Sequence, residues 1–213
     1  MRTIRNNIFL FLFCSFSVIA QENDFQTWHS VSLNKKIIKK TNLTLKSSLR
    51  LRENSSLYAK QFFDLRIKRR FNKQISYAVG YRYIKRSNKK FIFSNQNRFY
   101  ADINYNNKIN KRYSYSIRNR WQTQGDLYGY KMTLRQKIGL EYNIKKTKLT
   151  PYMGTEYFLT MNDGINKFRS TISLSYPLSK NIDFDLSYRI QKEYYVNNPE
   201  TLYIFECKLS YKL

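Results

Sequence analysis

The stretch LTLKSSLRLRE, from Leu43 to Glu53, places Leu43, Leu45, Ser47, Leu49 and Leu51 on one parity and Thr44, Lys46, Ser48, Arg50 and Arg52 on the other. Successive side chains of an extended chain point to opposite faces, so this period of two predicts a strand with one apolar face and one cationic face. The pattern recurs along the chain. Ile75, Tyr77, Val79, Tyr81 and Tyr83 oppose Ser76, Ala78, Gly80 and Arg82; Phe99, Ala101, Ile103 and Tyr105 oppose Arg98, Tyr100, Asp102 and Asn104. Tyr113, Tyr115, Ile117 and Trp121 oppose Ser114, Ser116, Arg118 and Arg120, and Met132, Leu134, Ile138, Leu140 and Tyr142 oppose Arg135, Lys137, Gly139 and Glu141. Ile182, Phe184, Leu186, Tyr188 and Ile190 then oppose Asp183, Asp185, Ser187 and Arg189. No helical period competes.

Alternation alone does not say which face is inside. In a soluble sandwich the leucines form the core, whereas in a membrane barrel they meet lipid and the arginines line the lumen. The amino terminus narrows the choice. MRTIRNNIFLFLFCSFSVIAQ has Arg2 and Arg5, an apolar run from Ile8 to Ile19, and Val18 and Ala20 as the small residues of a cleavage site. It reads as a secretory signal peptide over residues 1–20, its apolar run falling short of the roughly 20 residues a spanning helix needs. Phe13 before Cys14 argues against a lipoprotein signal, and cleavage leaves Cys207 without a partner for an internal disulfide.

Residues 21–213 are therefore expected to form one domain, all-β, an antiparallel transmembrane β-barrel of 10 to 12 strands. Eleven alternating segments are countable, the first from Trp28 to Asn34. Bacterial single-chain barrels have even strand numbers, so eleven implies either a further strand or a first segment lying partly in the lumen. Short turns near LNKKIIKKTN, FNKQ, YNNKINKR, IKKTK and PLSKN alternate with longer tips near RENSSLYAK, KRSNKKF, TQGDLYG, TMNDGINK and EYYVNNPET, as expected of periplasmic turns and external loops. The last strand alternates Tyr203, Phe205, Cys207, Leu209, Tyr211 and Leu213, which resembles the C-terminal signal read by the barrel assembly machinery, although that signal commonly ends in an aromatic.

Charge and aromatic content sharpen this picture. The formal charge of +25 falls to +23 once Arg2 and Arg5 leave with the signal, which implies an anionic partner such as lipid phosphate or an acidic solute. Nucleic acid is the rival for that charge, but the cations recur on one face of nearly every strand and the export signal removes the chain from the cytosol. The 19 tyrosines, 15 phenylalanines and 2 tryptophans suit membrane interfaces, where one end of a ring is dry and the other wet.

Several stretches carry a family resemblance: FQTWHSVSLNKKI, NQNRFYADI, SIRNRWQTQ, LTPYMGTEYFL and FRSTISLSYPLSKNIDFDLSYRIQ. Together they resemble the DUF2490 outer-membrane barrels over essentially the whole mature chain. The resemblance implies a barrel in the outer membrane of a Gram-negative bacterium. Its motifs are strand patterns, so it implies no reaction and transfers no functional residue.

Catalytic and metal chemistry find little support. His29 and Ser30 are adjacent and so face opposite sides of a strand, and one histidine with one mature cysteine makes a zinc site implausible. No enzyme activity and no cofactor are expected. The inward face carries the chemistry: Arg50, Arg52, Arg66, Arg82, Arg98, Arg118, Arg120, Arg135, Arg169 and Arg189, with Lys46, Lys68, Lys137 and Lys208, against Asp64, Asp102, Glu141, Glu156, Asp183, Asp185 and Glu206. Asp183 and Asp185 could act as an acid/base pair or pair with inward arginines. Such a lumen is read as a narrow anion-favouring channel, or a binder of anionic ligands or lipids; a filled structural barrel and a secreted β-sandwich binding protein are the alternatives. The partners expected are outer-membrane lipid and lipopolysaccharide, with the basic segment KRSNKK from Lys85 to Lys90 on the phosphates, and a small anionic solute.

Overall fold

The computed structural model describes residues 24–213 except 89, 162–163 and 197–198; the signal peptide assigned to residues 1–20 lies outside the described residues. Eleven strands follow one another: β1 (Asp24–Ile38), β2 (Thr41–Arg52), β3 (Leu57–Arg70), β4 (Ile75–Ser87), β5 (Phe93–Lys108), β6 (Tyr113–Asp126), β7 (Gly129–Tyr142), β8 (Thr150–Thr160), β9 (Gly164–Pro177), β10 (Ile182–Glu193) and β11 (Thr201–Lys212). Each pairs antiparallel with its sequence neighbour, and β1 pairs with β11 to close a barrel. Closure removes every free edge and excludes the sandwich.

The odd number is real, and neither escape from it holds. β1 is a full wall strand of 15 residues. Eleven alternating directions leave β1 and β11 running the same way, so their ladder is parallel, from Asp24↔Leu202 to Asn34↔Lys212. On the lumen side the seam is pinned by a buried cluster of Trp28, Leu202 and Ile204 and by Ser32 Oγ donating to Ser210 Oγ at 2.9 Å.

The two parities separate as the alternation requires. Val31, Leu45, Leu49, Phe63, Val79, Phe99, Ile138, Ile172 and Leu209 are exposed on the outside, while Ser30, Ser48, Asp64, Asp102, Arg120, Arg135, Glu156 and Glu206 are buried inside. His29 is exposed outside and Ser30 buried inside, on opposite faces. The polar side of this sheet is its interior, the inverse of a soluble sandwich.

The expected contrast between short turns and long loops is absent. At the end where β1 finishes and β11 stops, hereafter the turn end, the connections are 39–40, 71–74, 109–112, 143–149 and 178–181; at the opposite, loop end they are 53–56, 88–92, 127–128, 161–163 and 194–200. The strands simply run on into the tips. Lys60 and Lys85, placed in tips by composition, lie in paired β3 and β4.

Charge, not length, distinguishes the ends. The turn-end connections with the adjoining strand residues carry four cations in 35–40, three each in 69–73, 108–112 and 143–149, and one in 178–181, with no carboxylate in any of these segments. Counted with adjoining strand residues in the same way, the loop-end segments 52–56, 86–92, 126–128, 161–163 and 192–200 hold five cations and five carboxylates. Above the turn-end cations runs a girdle of outward aromatics, with Phe71 against Tyr77 at 6.0 Å between ring centroids, Tyr105 against Tyr115 at 5.8 Å and Tyr113 against Tyr142 at 4.8 Å. Aromatic pairs at such spacings add to the stability of neighbouring strands.

Candidate lumen site

Side chains directly opposite one another on an antiparallel pair stand close enough to interact, and register decides which ones meet. Asp102 on β5 faces Arg120 on β6, and Arg120 holds it through both oxygens, Nε to Oδ1 at 2.6 Å and a terminal nitrogen to Oδ2 at 2.9 Å. Asp64 on β3 faces Arg82 on β4, whose Nε donates to it at 2.7 Å. Glu156 on β8 faces Arg169 on β9 and also accepts from Arg135 at 2.9 Å and Arg118 at 2.6 Å, so one carboxylate gathers three guanidiniums. Glu206 on β11 pairs with Arg189 and, at 3.6 Å, with Lys46.

Some of these contacts cross an intervening strand, which needs small residues beneath them. Arg66 of β3 reaches Asp102 of β5 at 2.8 Å, and Tyr100 of β5 donates to Asp64 of β3 at 2.8 Å. The strand between them carries Ala78 and Gly80 on its inward face, and a methyl group on Gly80 would lie 2.2 Å from the Tyr100 ring. The Tyr152 ring likewise lies over Gly139 and Gly154, which face each other across β7 and β8.

A second, aromatic layer lies beneath the charges, of which the alternation had placed only Tyr100 on the inward side. Trp28, Phe62, Tyr100 and Phe158 all point inward and are buried. Guanidiniums lie over them: Arg50 at 3.5 Å from the Trp28 ring centroid, Arg82 at 3.9 Å from Phe62, Arg120 at 3.9 Å from Tyr100 and Arg135 at 4.4 Å from Phe158. Cation–π contact of this kind orients a guanidinium without neutralising it. Parity carried the signal, since Phe62 shares the register of Asp64, and Phe158 that of Glu156. Aromatic content by itself suits membrane interfaces, which draws attention away from the inward Trp28, Phe62 and Phe158.

The expected lining residues divide into three groups. Arg66, Arg82, Arg118, Arg120, Arg135, Arg169 and Arg189 join Asp64, Asp102, Glu156 and Glu206 in the paired network. Asp183, Asp185 and Glu141 stand toward the turn end. Asp183 pairs with Lys212 at 2.6 Å and Asp185 with Lys208 at 2.7 Å, so their partners are lysines rather than arginines, and they do not form an acid/base pair with each other. Among the described residues, Glu141 accepts only a long bond from Ser114, at 3.4 Å. Arg52 sits at the loop-end mouth, donating to the Asn88 carbonyl and lying 3.7 Å from Glu53.

The third group is the informative one. Among the described residues, Arg50, Lys60, Arg98 and Lys137 have no carboxylate partner. Arg98 donates to Gln124, a neutral acceptor; Arg50 rests on Trp28 and Phe62; Lys137 lies 4.5 Å from the Tyr152 ring. Lys60 was missed because RENSSLYAK reads as a tip, whereas β3 begins at Leu57 and pairs Lys60 with Arg50. All four line a cavity of about 1160 Å³. It is bounded by every strand, from Asp24, Glu53 and Asp126 at the loop end to Asn34, Thr44 and Ser210 toward the turn end.

Comparison with solved structures finds the same architecture in porins. The NanC porin in a rhombohedral crystal form superposes with a TM-score of 0.56 at 15% identity, covering 90% of this chain and 100% of that one. The KdgM porin gives a TM-score of 0.50 at 14% identity over 79% of this chain and 90% of that one. At such identities the likeness is one of fold. A comparison with curated proteins finds no match. Residues 25–201 match the model of the family described as Protein of unknown function (DUF2490), and the chain belongs to that family.

Proposed function

We propose that the protein is an outer-membrane channel that favours small anions, working without catalysis. The observation that carries this reading is the lumen cavity lined by Arg50, Lys60, Arg98 and Lys137, cations with no carboxylate partner among the described residues. Fixed charge of one sign in a confined pore concentrates counter-ions and repels co-ions. The apolar outer face and closed wall support placement in a bilayer, the export signal supports the outer membrane, and the likeness to two porins supports a channel by analogy of fold. With the loop end outward, Lys85 and Lys90 are positioned for lipopolysaccharide phosphates. A filled barrel without transport is the second reading, supported by the arginine and carboxylate pairs that occupy much of the interior.

Planar-bilayer recording across a salt gradient tests the channel. The expected reversal potential shows anion preference, and the double substitution Arg50→Gln with Arg98→Gln weakens it. Cation preference would overturn the anion reading, and a folded barrel with no conductance would establish the filled one. Fractionation combined with a heat-modifiability gel tests placement, a soluble periplasmic protein being the adverse outcome.

A further inference from the structure

The basic collar at the turn end is not used by the lumen. Its fourteen Lys and Arg residues are all exposed and lie in segments with no carboxylate. The five hairpin connections of this end all contribute, so the charge surrounds the barrel instead of forming one patch. A single soluble ligand does not need a ring of that form. An annulus of lipid does.

Apolar side chains share the collar. Ile37, Ile38, Phe71, Ile109 and Leu178 are exposed at the same level, between the lysines and arginines. Directly above, with Phe71 of the collar packed against Tyr77, lies the aromatic girdle of Tyr77, Tyr105, Tyr113, Tyr115 and Tyr142. The order from tip to wall is therefore cation with aliphatic, then tyrosine, then Leu, Ile and Val. A bilayer presents the same sequence of environments from head group to acyl chain. An acidic soluble protein or nucleic acid would match the charge but leave the exposed isoleucines unaccounted for.

We infer that the turn-end collar binds the phosphates of anionic glycerophospholipids, holding a ring of them around the barrel. The inference rests on the membrane placement proposed above. The side follows from the proposed orientation with the loop end outward, which turns this end to the periplasmic leaflet; the leaflet met there is glycerophospholipid. Each lysine or arginine near an anionic surface contributes a separate attraction, and the attraction is screened by salt.

The test uses the full mature barrel folded into vesicles of equal parts phosphatidylglycerol and phosphatidylcholine, with brominated forms of each lipid quenching a tryptophan placed in the collar by Leu178→Trp in a Trp121→Phe background, Trp28 being buried in the lumen away from lipid. Phosphatidylglycerol is expected to be enriched about fivefold at the barrel surface, equivalent to ~1 kcal/mol, and the enrichment should fall as salt is raised. Replacing Lys35, Lys36, Lys39 and Lys40 by glutamine should cut it by half or more, whereas Lys85→Gln with Lys90→Gln should leave it in place. A barrel that folds normally with no preference between the two lipids would overturn the inference while leaving the channel reading intact. So would enrichment of lipopolysaccharide at the collar together with labelling of Lys146→Cys, in a Cys207→Ser background, by an impermeant maleimide in intact cells. Failure to insert at all would instead sink the membrane placement.

Discussion

Glu156 holds three arginines and Glu141 holds none, although both face the lumen from neighbouring strands. Glu156→Gln keeps the shape and one acceptor oxygen but removes the charge. The three guanidinium contacts, at 2.6, 2.9 and 3.5 Å, each amount to about 5–6 kcal/mol of attraction at an effective dielectric constant of ~20. Most of that is offset by desolvation and by repulsion among the arginines, and breaking a buried pair on one side costs ~3–5 kcal/mol in practice. Glu156 is nearly inaccessible, its side chain only 4% exposed, so the full range applies. In urea the unfolding midpoint of the vesicle-reconstituted barrel should fall by about 1–2 M. Glu141→Gln should change the stability by less than ~0.5 kcal/mol, as substitutions at exposed positions do. The Glu156 variant adds one uncompensated positive charge to the lumen, so its anion preference should rise as its stability falls. Equal shifts for the two substitutions, or a midpoint at Glu156→Gln that does not move, would refute the reading of Glu156 as the anchor of this network.

Three further outcomes follow from the same geometry. Leu45→Arg, between outward Leu33 and Leu65, should impair assembly at a cost of ~2–4 kcal/mol near mid-depth, while Arg50→Leu should be milder because, among the described residues, Arg50 leaves no carboxylate behind; a folded-fraction gel giving the reverse order would invert the lipid face. Gly80→Ala should destabilise by ~1–3 kcal/mol, since its methyl group meets Tyr100 and displaces the phenol from Asp64, and unchanged denaturation would show the ring to be mobile. A cysteine at exposed Lys90, in a Cys207→Ser background, should react with impermeant maleimide on intact cells, with reaction only after outer-membrane rupture placing the loop end inside; Ser87 is unsuitable because it is buried.

Much of this barrel is legible without coordinates. The period of two gave the all-β class, the separation of Leu49 from Arg50, and the inward set from Arg50 to Glu206, because side-chain direction in a strand depends on parity alone. Strand number was within reach too, but closure was not. Whether eleven strands leave a gap, fold one inside or join in parallel depends on how β1 and β11 meet, 177 positions apart for the bonded pair Ser32 and Leu209. The tips were misjudged because polar composition marks solvent exposure as readily as it marks a turn, and hairpins here stay paired well past the apolar band.

The site divides along the same line. Sequence by itself determined which residues point into the lumen and that cations outnumber carboxylates there, since both follow from parity and count. Only the tertiary structure decided which charges neutralise one another: Glu156 collects arginines from three strands, Arg66 reaches Asp102 over Ala78 and Gly80, and Arg50 is left on an aromatic ring without an anion. Those outcomes depend on stagger between strands and on the size of the residue in between, quantities fixed by closing the sheet and carried by no single strand.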